Sequence, residues 1–202
     1  EQHSPEWFSD NIAFIGAGMK KIQSQNPVVT VVIPAYNEEE TILRTLSSLS
    51  KTISSQEIEI LVVDNNSSDK TADLVKKSGA RYLFEGKKGV KHARTAGLHA
   101  AKGKYILNAD ADSIYSPDWI DLMTLPLRKD EIACTYGRFA FFPERNTSRR
   151  FYFFYESFGD LYKRTIQKWK DEAIYVYGCS SGYRKEQGIS VNGYEHPVGS
   201  NE

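Results

Sequence analysis

The chain has 202 residues, enough for one domain with a short appendage. Hydrophobic residues make up 40% and charged residues 26%, as in ordinary globular domains rather than disordered chains. The 26 Lys and Arg balance 26 Asp and Glu, so nothing supports a nucleic-acid binder that relies on a broad positive field.

An acidic ligand would have to be held locally, by a few placed cations or by a metal. No apolar run approaches the ~20 residues of a membrane span, and the opening "EQHSPEWFSD" lacks the apolar core of a secretory leader. The two cysteines, Cys134 and Cys179, are far apart and lack metal-ligand spacing. They read as reduced core thiols, which fits a cytoplasmic protein.

Residues 1–26 read as an appendage that packs on the domain: an apolar helix-like piece (Trp7, Phe8, Ile12, Phe14, Ile15) and then a polar linker. "PVVTVVIP" (27–34) is β-branched and continuous, the pattern of a strand buried on both faces. "NEEETILRTLSSLSKT" then predicts a helix capped by Asn37, with Ile42, Leu43, Leu46 and Leu49 at helical spacing. "IEILVVD" (58–64) is a second buried strand, and "NSSDKTADLVKKSG" a second helix stopped by Gly79. "ARYLFEG" (80–86) is a shorter strand, 89–103 a helix with small residues on one face, and "KYILNADAD" (104–112) a fourth strand. In "SPDWIDLMTLPL" a proline opens one more helix. This strand–helix alternation predicts a parallel sheet with helices on both faces.

In open parallel sheets the ligand crevice lies beyond the carboxyl ends of the strands. Pro34 to Glu38 follow the first strand, Asp64 to Asn66 end the second, and Asp110 and Asp112 end the fourth. Two carboxylates one residue apart repel each other. Either the pair sits in solvent at a turn, or a cation sits between them. Mg²⁺ and Mn²⁺ prefer hard oxygen ligands and are often held by one or two carboxylates plus substrate phosphate.

Three stretches together, "VVIPAYNEEETILRTLSSL", "ILVVDNNSSDKTADLV" and "GVKHARTAGLHAAKGKYILNADADS", resemble the family 2 glycosyltransferases of GT-A fold. The resemblance is close over 28–125 and looser to 202, which makes 27–202 the GT-A domain. It implies a Rossmann-like three-layer α/β/α sandwich with a mainly parallel sheet. It also implies transfer of a sugar, with inversion, from a nucleotide-diphosphate sugar to an acceptor hydroxyl, using Mn²⁺ or Mg²⁺. By resemblance Pro34, Ala35, Tyr36 and Glu38 line the nucleoside pocket, and Asp64 accepts a hydrogen bond from base or ribose. Lys91 and Arg94 face the diphosphate, Asp110 lies near ribose or metal, and Asp112 ligates the metal. Ser180, Ser181 and Gly182 lie under the sugar or acceptor.

Inverting members carry their base in an acid pair after a Gly-Gly-Phe-like segment. "SVNGYEHPVGSNE" (190–202) resembles it, which makes Glu202 the candidate base. Either a second acid of that pair lies beyond residue 202, or Glu202 serves alone. The aromatic and basic stretch 149–169 has three readings: an amphipathic cover for the sheet or acceptor cleft, an element lying on the inner face of a membrane, or a platform for a sugar. Saccharide and lipid-linked acceptors both fit the family. A nucleotide-sugar-binding module without transfer activity is the alternative function. A nucleotidyltransferase is disfavoured, because "PAYNEEE" is acidic where such enzymes carry a Gly-rich basic loop.

Overall fold

A computed structural model describes residues 3–138, 140, 150, 157–159, 165 and 179–194. Six strands form one sheet: β1 (Val29–Ala35), β2 (Ile58–Asp64), β3 (Arg81–Phe84), β4 (Tyr105–Ala109), β5 (Cys134–Tyr136) and β6 (Ser180–Arg184). Their order is β3-β2-β1-β4-β6-β5. The first four strands run parallel, with Val29 opposite both Ile58 and Tyr105. β6 runs antiparallel to both β4 and β5. The three-layer α/β/α expectation is therefore borne out, with the antiparallel β6, and β5 beyond it, added at one edge.

Side-chain alternation along the strands divides the core into two apolar layers. Val31, Ile33, Ile60, Val62 and Leu107 face a layer built with α2 (Ile12–Ile22), α3 (Ile42–Leu49), α4 (Thr71–Ser78) and α6 (Trp119–Thr124). Val32, Leu61, Val63 and Ile106 face Ala93 and Leu98 of α5 (Val90–Ala100). Gly97 sets how closely α5 approaches the sheet, since a Cβ there would stand 2.3 Å from Val32 Cγ1. Gly79 ends α4 at φ 82, the left-handed cap its position predicts. After β6 the chain forms α7 (Lys185–Ser190).

Residues 3–26 pack on the sheet. Ser4 caps the short α1 (Pro5–Asp10), and Phe8, Ile15 and Met19 are buried in the larger core layer. The Gln23 amide bonds both the N–H (2.6 Å) and the C=O (3.1 Å) of Ile60, as another strand residue would. At the amino ends of the strands a buried carboxylate gathers three elements. Glu59 accepts from Arg81 Nη1 (2.7 Å), from the Thr30 hydroxyl (2.8 Å) and from the Lys102 N–H (3.1 Å).

Some local expectations give way. The helix after β1 starts at Ile42, not Asn37. Asn37 adopts φ 55, and its carbonyl oxygen caps the Ser68 N–H (2.8 Å) of a different loop. β4 stops at Ala109, because the chain turns at Asp110. Cys134 is exposed on the edge strand β5 and Cys179 is half-buried, so neither is a core thiol, although both are free. Among the described residues no helix is long and apolar enough to cross a membrane.

Candidate active site

The carboxyl ends of β1, β2 and β4 open onto a cavity of about 530 Å³. Pro34, Ala35, Tyr36 and Glu38 form one side of it, and Asp110 and Asp112 another. Six of the sequence-predicted residues are thus brought together. The rest of the described lining is Ala111 and Asn65, with Lys88 and Gly89 from the loop between β3 and α5, and Val90 at the start of α5. Lys88 Nζ lies 5.5 Å from the centroid of the Tyr36 ring.

The loops are tied to one another rather than free. Asn37 N–H bonds Ser67 Oγ (3.0 Å), Glu38 N–H bonds Thr71 Oγ1 (2.7 Å), and Glu39 N–H bonds Asp69 (3.0 Å). In return the Lys70 N–H bonds Glu39 (3.1 Å). The two loops at the ends of β1 and β2 are therefore zipped together. Asn65 does the same for the third loop. It donates to the carbonyls of Lys87 (2.7 Å) and Glu85 (3.2 Å), and accepts from the Gly89 N–H (2.7 Å). Gly89 stands at φ 122, which favours glycine.

The acid turn is held from three directions. Thr45 donates to the Ala111 carbonyl (2.7 Å), and Arg44 reaches the Asp112 carbonyl at 3.4 Å. The Tyr115 hydroxyl accepts from the Asp110 N–H (2.8 Å) and donates to the Cys179 carbonyl (2.9 Å), joining the turn to the start of β6. The side chains then take different positions. Asp110 is half-buried and pairs with Arg94 Nη2 at 3.1 Å. Asp112 is exposed, with Oδ1 accepting from Ser113 Oγ at 3.3 Å.

Electrostatically the cavity is acidic. Burial raises the Asp110 carboxyl above its ordinary value, Arg94 pulls it back, and Asp112 pushes it up. Burial likewise raises Glu38; its bond from the Thr41 hydroxyl opposes the rise, while Asp112, Asp69 and Asp110 add to it. Among the described residues, three carboxylates line the space against one ammonium, that of Lys88. An anionic diphosphate entering this space would meet net repulsion unless a cation came with it. Two carboxylate oxygen donors at a turn suit a hard divalent ion. Among the described residues no group of three or more His, Cys, Asp or Glu could hold a metal.

Three predicted nucleotide residues lie outside this lining. Asp64 is buried and already accepts from the Ser67 N–H (3.1 Å) and the Tyr82 hydroxyl (3.0 Å). Lys91 is exposed on the first turn of α5, and Arg94 supports Asp110 from behind. A second cavity of about 630 Å³ shares Asp110 and Asp112 and runs past Tyr115, Trp119, Cys179 and Ser180. Ser180 is in its wall, with Oγ accepting from Trp119 Nε1 (2.9 Å). Ser181 and Gly182 turn inward: Ser181 Oγ accepts from Asn108 (2.9 Å), and a Cβ on Gly182 would strike Leu107. Glu202 and most of 149–169 lie outside the described residues.

Sequence reasoning missed Asn65 and Lys88. Asn65 looked like one more polar rim residue, and Lys88 is indistinguishable by pattern from Lys87 and Lys91. The spacing of "GKKGVK" around Gly89 was the only available signal.

The comparison with known families decides the identity. The glycosyl transferase family 2 profile matches residues 30–187. The chain belongs to that family. Chondroitin synthase of Escherichia coli is 29% identical to this family 2 chain over 143 residues, which is 67% of this chain and 20% of that protein. The chain spans only a fifth to about a third of the length of the first curated relatives it matches.

Among solved structures, glucosyl-3-phosphoglycerate synthase of Mycobacterium tuberculosis, in complex with Mn²⁺, UDP-glucose and phosphoglyceric acid, superposes with TM-score 0.57. It is 20% identical, and the match covers 87% of this chain and 61% of that one. The mannosyltransferase PcManGT of Pyrobaculum calidifontis, in complex with GDP-mannose and Mn²⁺, gives TM-score 0.62 at 19% identity, covering 92% of this chain and 55% of that one. These likenesses establish the GT-A fold for this family 2 domain.

Proposed function

We propose that this domain transfers a glycosyl group from a nucleotide-diphosphate sugar to an acceptor hydroxyl, with inversion and with a divalent cation. The observation that carries the reading is the acidic rim: Glu38, Asp110 and Asp112 around a cavity of about 530 Å³ whose lining also includes Lys88. Mn²⁺ in both solved neighbours, with UDP-glucose in one and GDP-mannose in the other, supports the same reading. In it, Tyr36 and Pro34 take the base, and Lys88 faces the diphosphate. Asp64 acts through the loop it caps, and Lys91 supplements the positive field at the start of α5.

Asp112 and Asp110 hold the cation, Mn²⁺ or Mg²⁺, which when bound offsets the charge that builds on the departing diphosphate. Arg94 keeps Asp110 in place. The second cavity, with Ser180 in its wall and the acid pair at its mouth, takes the acceptor, a saccharide or a lipid-linked sugar. The acceptor oxygen bonds to the anomeric carbon, the bond from that carbon to the diphosphate oxygen breaks, and the hydroxyl proton passes to a carboxylate base. One displacement inverts the anomeric centre. Glu202 is the candidate for that base, and 149–169 the candidate for contact with a membrane-borne acceptor at its cytoplasmic face.

Incubation with Mn²⁺ and a panel of UDP-, GDP- and dTDP-sugars, with released nucleoside diphosphate measured, tests the proposal. Metal-dependent release from one donor is expected. Tight binding of a donor without release would instead indicate a binding module.

A further inference from the structure

We infer that Tyr194 is a positioning residue that aims Arg94 at Asp110 and so orients the acid pair. The inference rests on the donor-site reading above for its functional meaning, and on geometry for its structural part.

Arg94 needs such a partner. Its side chain is mostly buried, with 17% relative exposure, yet it meets Asp110 through one nitrogen at 3.1 Å. Its Nε is buried with no hydrogen-bond partner among the described residues. A guanidinium held at a single point can pivot. A flat ring stands near it: the guanidinium carbon lies over Tyr194, 6.0 Å from the ring centroid, at the range of cation–π attraction.

The ring is itself fixed. The Tyr194 hydroxyl donates to Asn108 Oδ1 (3.0 Å) and lies 2.8 Å from the Tyr183 hydroxyl. The Asn108 oxygen can only accept, so Tyr194 donates there and Tyr183 donates to Tyr194. The Asn108 amide N–H donates to Ser181 Oγ at 2.9 Å, directly across the β4–β6 pair. Each link is satisfied, which is the condition for a buried polar chain to hold a unique geometry. Asn108 shares its sheet face with Ile106, where the alternation calls for an apolar residue. A buried amide there has its use in anchoring Tyr194.

The backbone carries a second sign. Asn192 and Gly193 stand at φ 62 and 59, two left-handed residues in succession after α7. The Gly193 N–H closes on the Gly188 carbonyl at 2.8 Å. A Cβ at 193 would come within 3.0 Å of Leu98. This reversal presses the chain onto α5 and returns Tyr194 over Arg94. Asn108 and Arg94 thus approach one ring from two sides, two residues before and directly beside the first carboxylate of the pair.

The test uses the full chain and four variants: Tyr194→Phe, Tyr194→Leu, Arg94→Ala and the Tyr194→Leu/Arg94→Ala double. Affinity for UDP and for GDP in Mn²⁺ is measured by calorimetry, with the thermal midpoint as a control. Loss of the ring in Tyr194→Leu should weaken the bound nucleotide about fivefold to tenfold, a range set by cation–π strengths. Tyr194→Phe keeps the ring and should stay within about threefold. In the Arg94→Ala background, Tyr194→Leu should have no further effect. An equal loss in both backgrounds would show that Tyr194 only packs, and would overturn the inference.

Tyr194→Met, which keeps the apolar bulk, replaces Tyr194→Leu if the latter does not fold. A crystal structure of the unliganded ring-less variant separates the two hypotheses. Arg94 displaced from Asp110 supports the inference even if no nucleotide binds the wild type, a result that would sink the donor reading alone. Arg94 unmoved on Asp110 overturns the inference.

Discussion

Asn65→Ala should damage the proposed nucleotide site far more than the fold. Asn65 is buried, and its side chain makes three hydrogen bonds, all to the loop Glu85–Gly89 that carries Lys88. The backbone groups released by the mutation lie in an exposed loop and can be taken up by water. The stability loss should therefore stay near ~1 kcal/mol, or about 2–4 °C in Tm for a chain of this size. Binding is affected differently. Residues 87 to 89 become free in the unliganded protein and must be ordered again when nucleotide enters. At about 1 kcal/mol of backbone entropy per residue, that is ~3 kcal/mol, or about 100-fold in affinity. Asn65→Asp should not rescue the site, because a carboxylate oxygen would face the carbonyls of Glu85 and Lys87. Calorimetry with UDP or GDP in Mn²⁺, beside a thermal melt, reads both quantities. Affinity within about twofold of wild type in a well-folded variant would refute the reasoning. So would a Tm loss above about 10 °C, which would make Asn65 a residue of the fold.

Glu59→Gln should do the reverse. The amide would set an N–H₂ against Arg81 or against the Lys102 N–H, so one buried donor loses its acceptor in either orientation. Because Arg81 is 35% exposed, we expect about 2–4 kcal/mol, below a fully buried pair, and about 4–16 °C in Tm. Nucleotide affinity should not change, and a melt within 2 °C of wild type by thermal scan would contradict this.

Tyr82 gives a pH signature: burial, with its bond to Asp64, raises its pKa from 10.0 to about 12. Because the folded value exceeds the unfolded one, the stabilisation is whole below pH 10 and lost as pH climbs through 12. The Tm gap between wild type and Tyr82→Phe should close across that window. A gap constant with pH would refute the assignment.

What could be read in the sequence was what short-range pattern encodes. The β-branched runs of β1 and β2, the Gly79 stop and the acids after β4 each follow from a few neighbouring residues. Pro34, Tyr36, Asp110 and Asp112 converge because parallel strands must end on one rim. The misses have the opposite origin. Asn37 looks like a helix cap by local rules, but its bond runs to Ser68, 31 residues away. Cys134 reads as a core thiol until β6 folds back antiparallel and leaves β5 at the edge. Asn65, Lys88 and Tyr194 take their positions from loops that meet only in three dimensions. No spacing along the chain reports that Tyr194 sits beside Arg94, 100 positions earlier in the numbering.

The central claim is that a divalent cation at Asp112 and Asp110 carries the donor diphosphate. The most direct measurement is calorimetric titration of UDP and GDP into wild type and Asp112→Ala, each with Mn²⁺ and with chelator. Wild type should bind one of the two nucleotides only with metal, and Asp112→Ala should lose that binding while melting at the wild-type temperature. Equal affinity with and without Mn²⁺, or in the variant, would contradict the account.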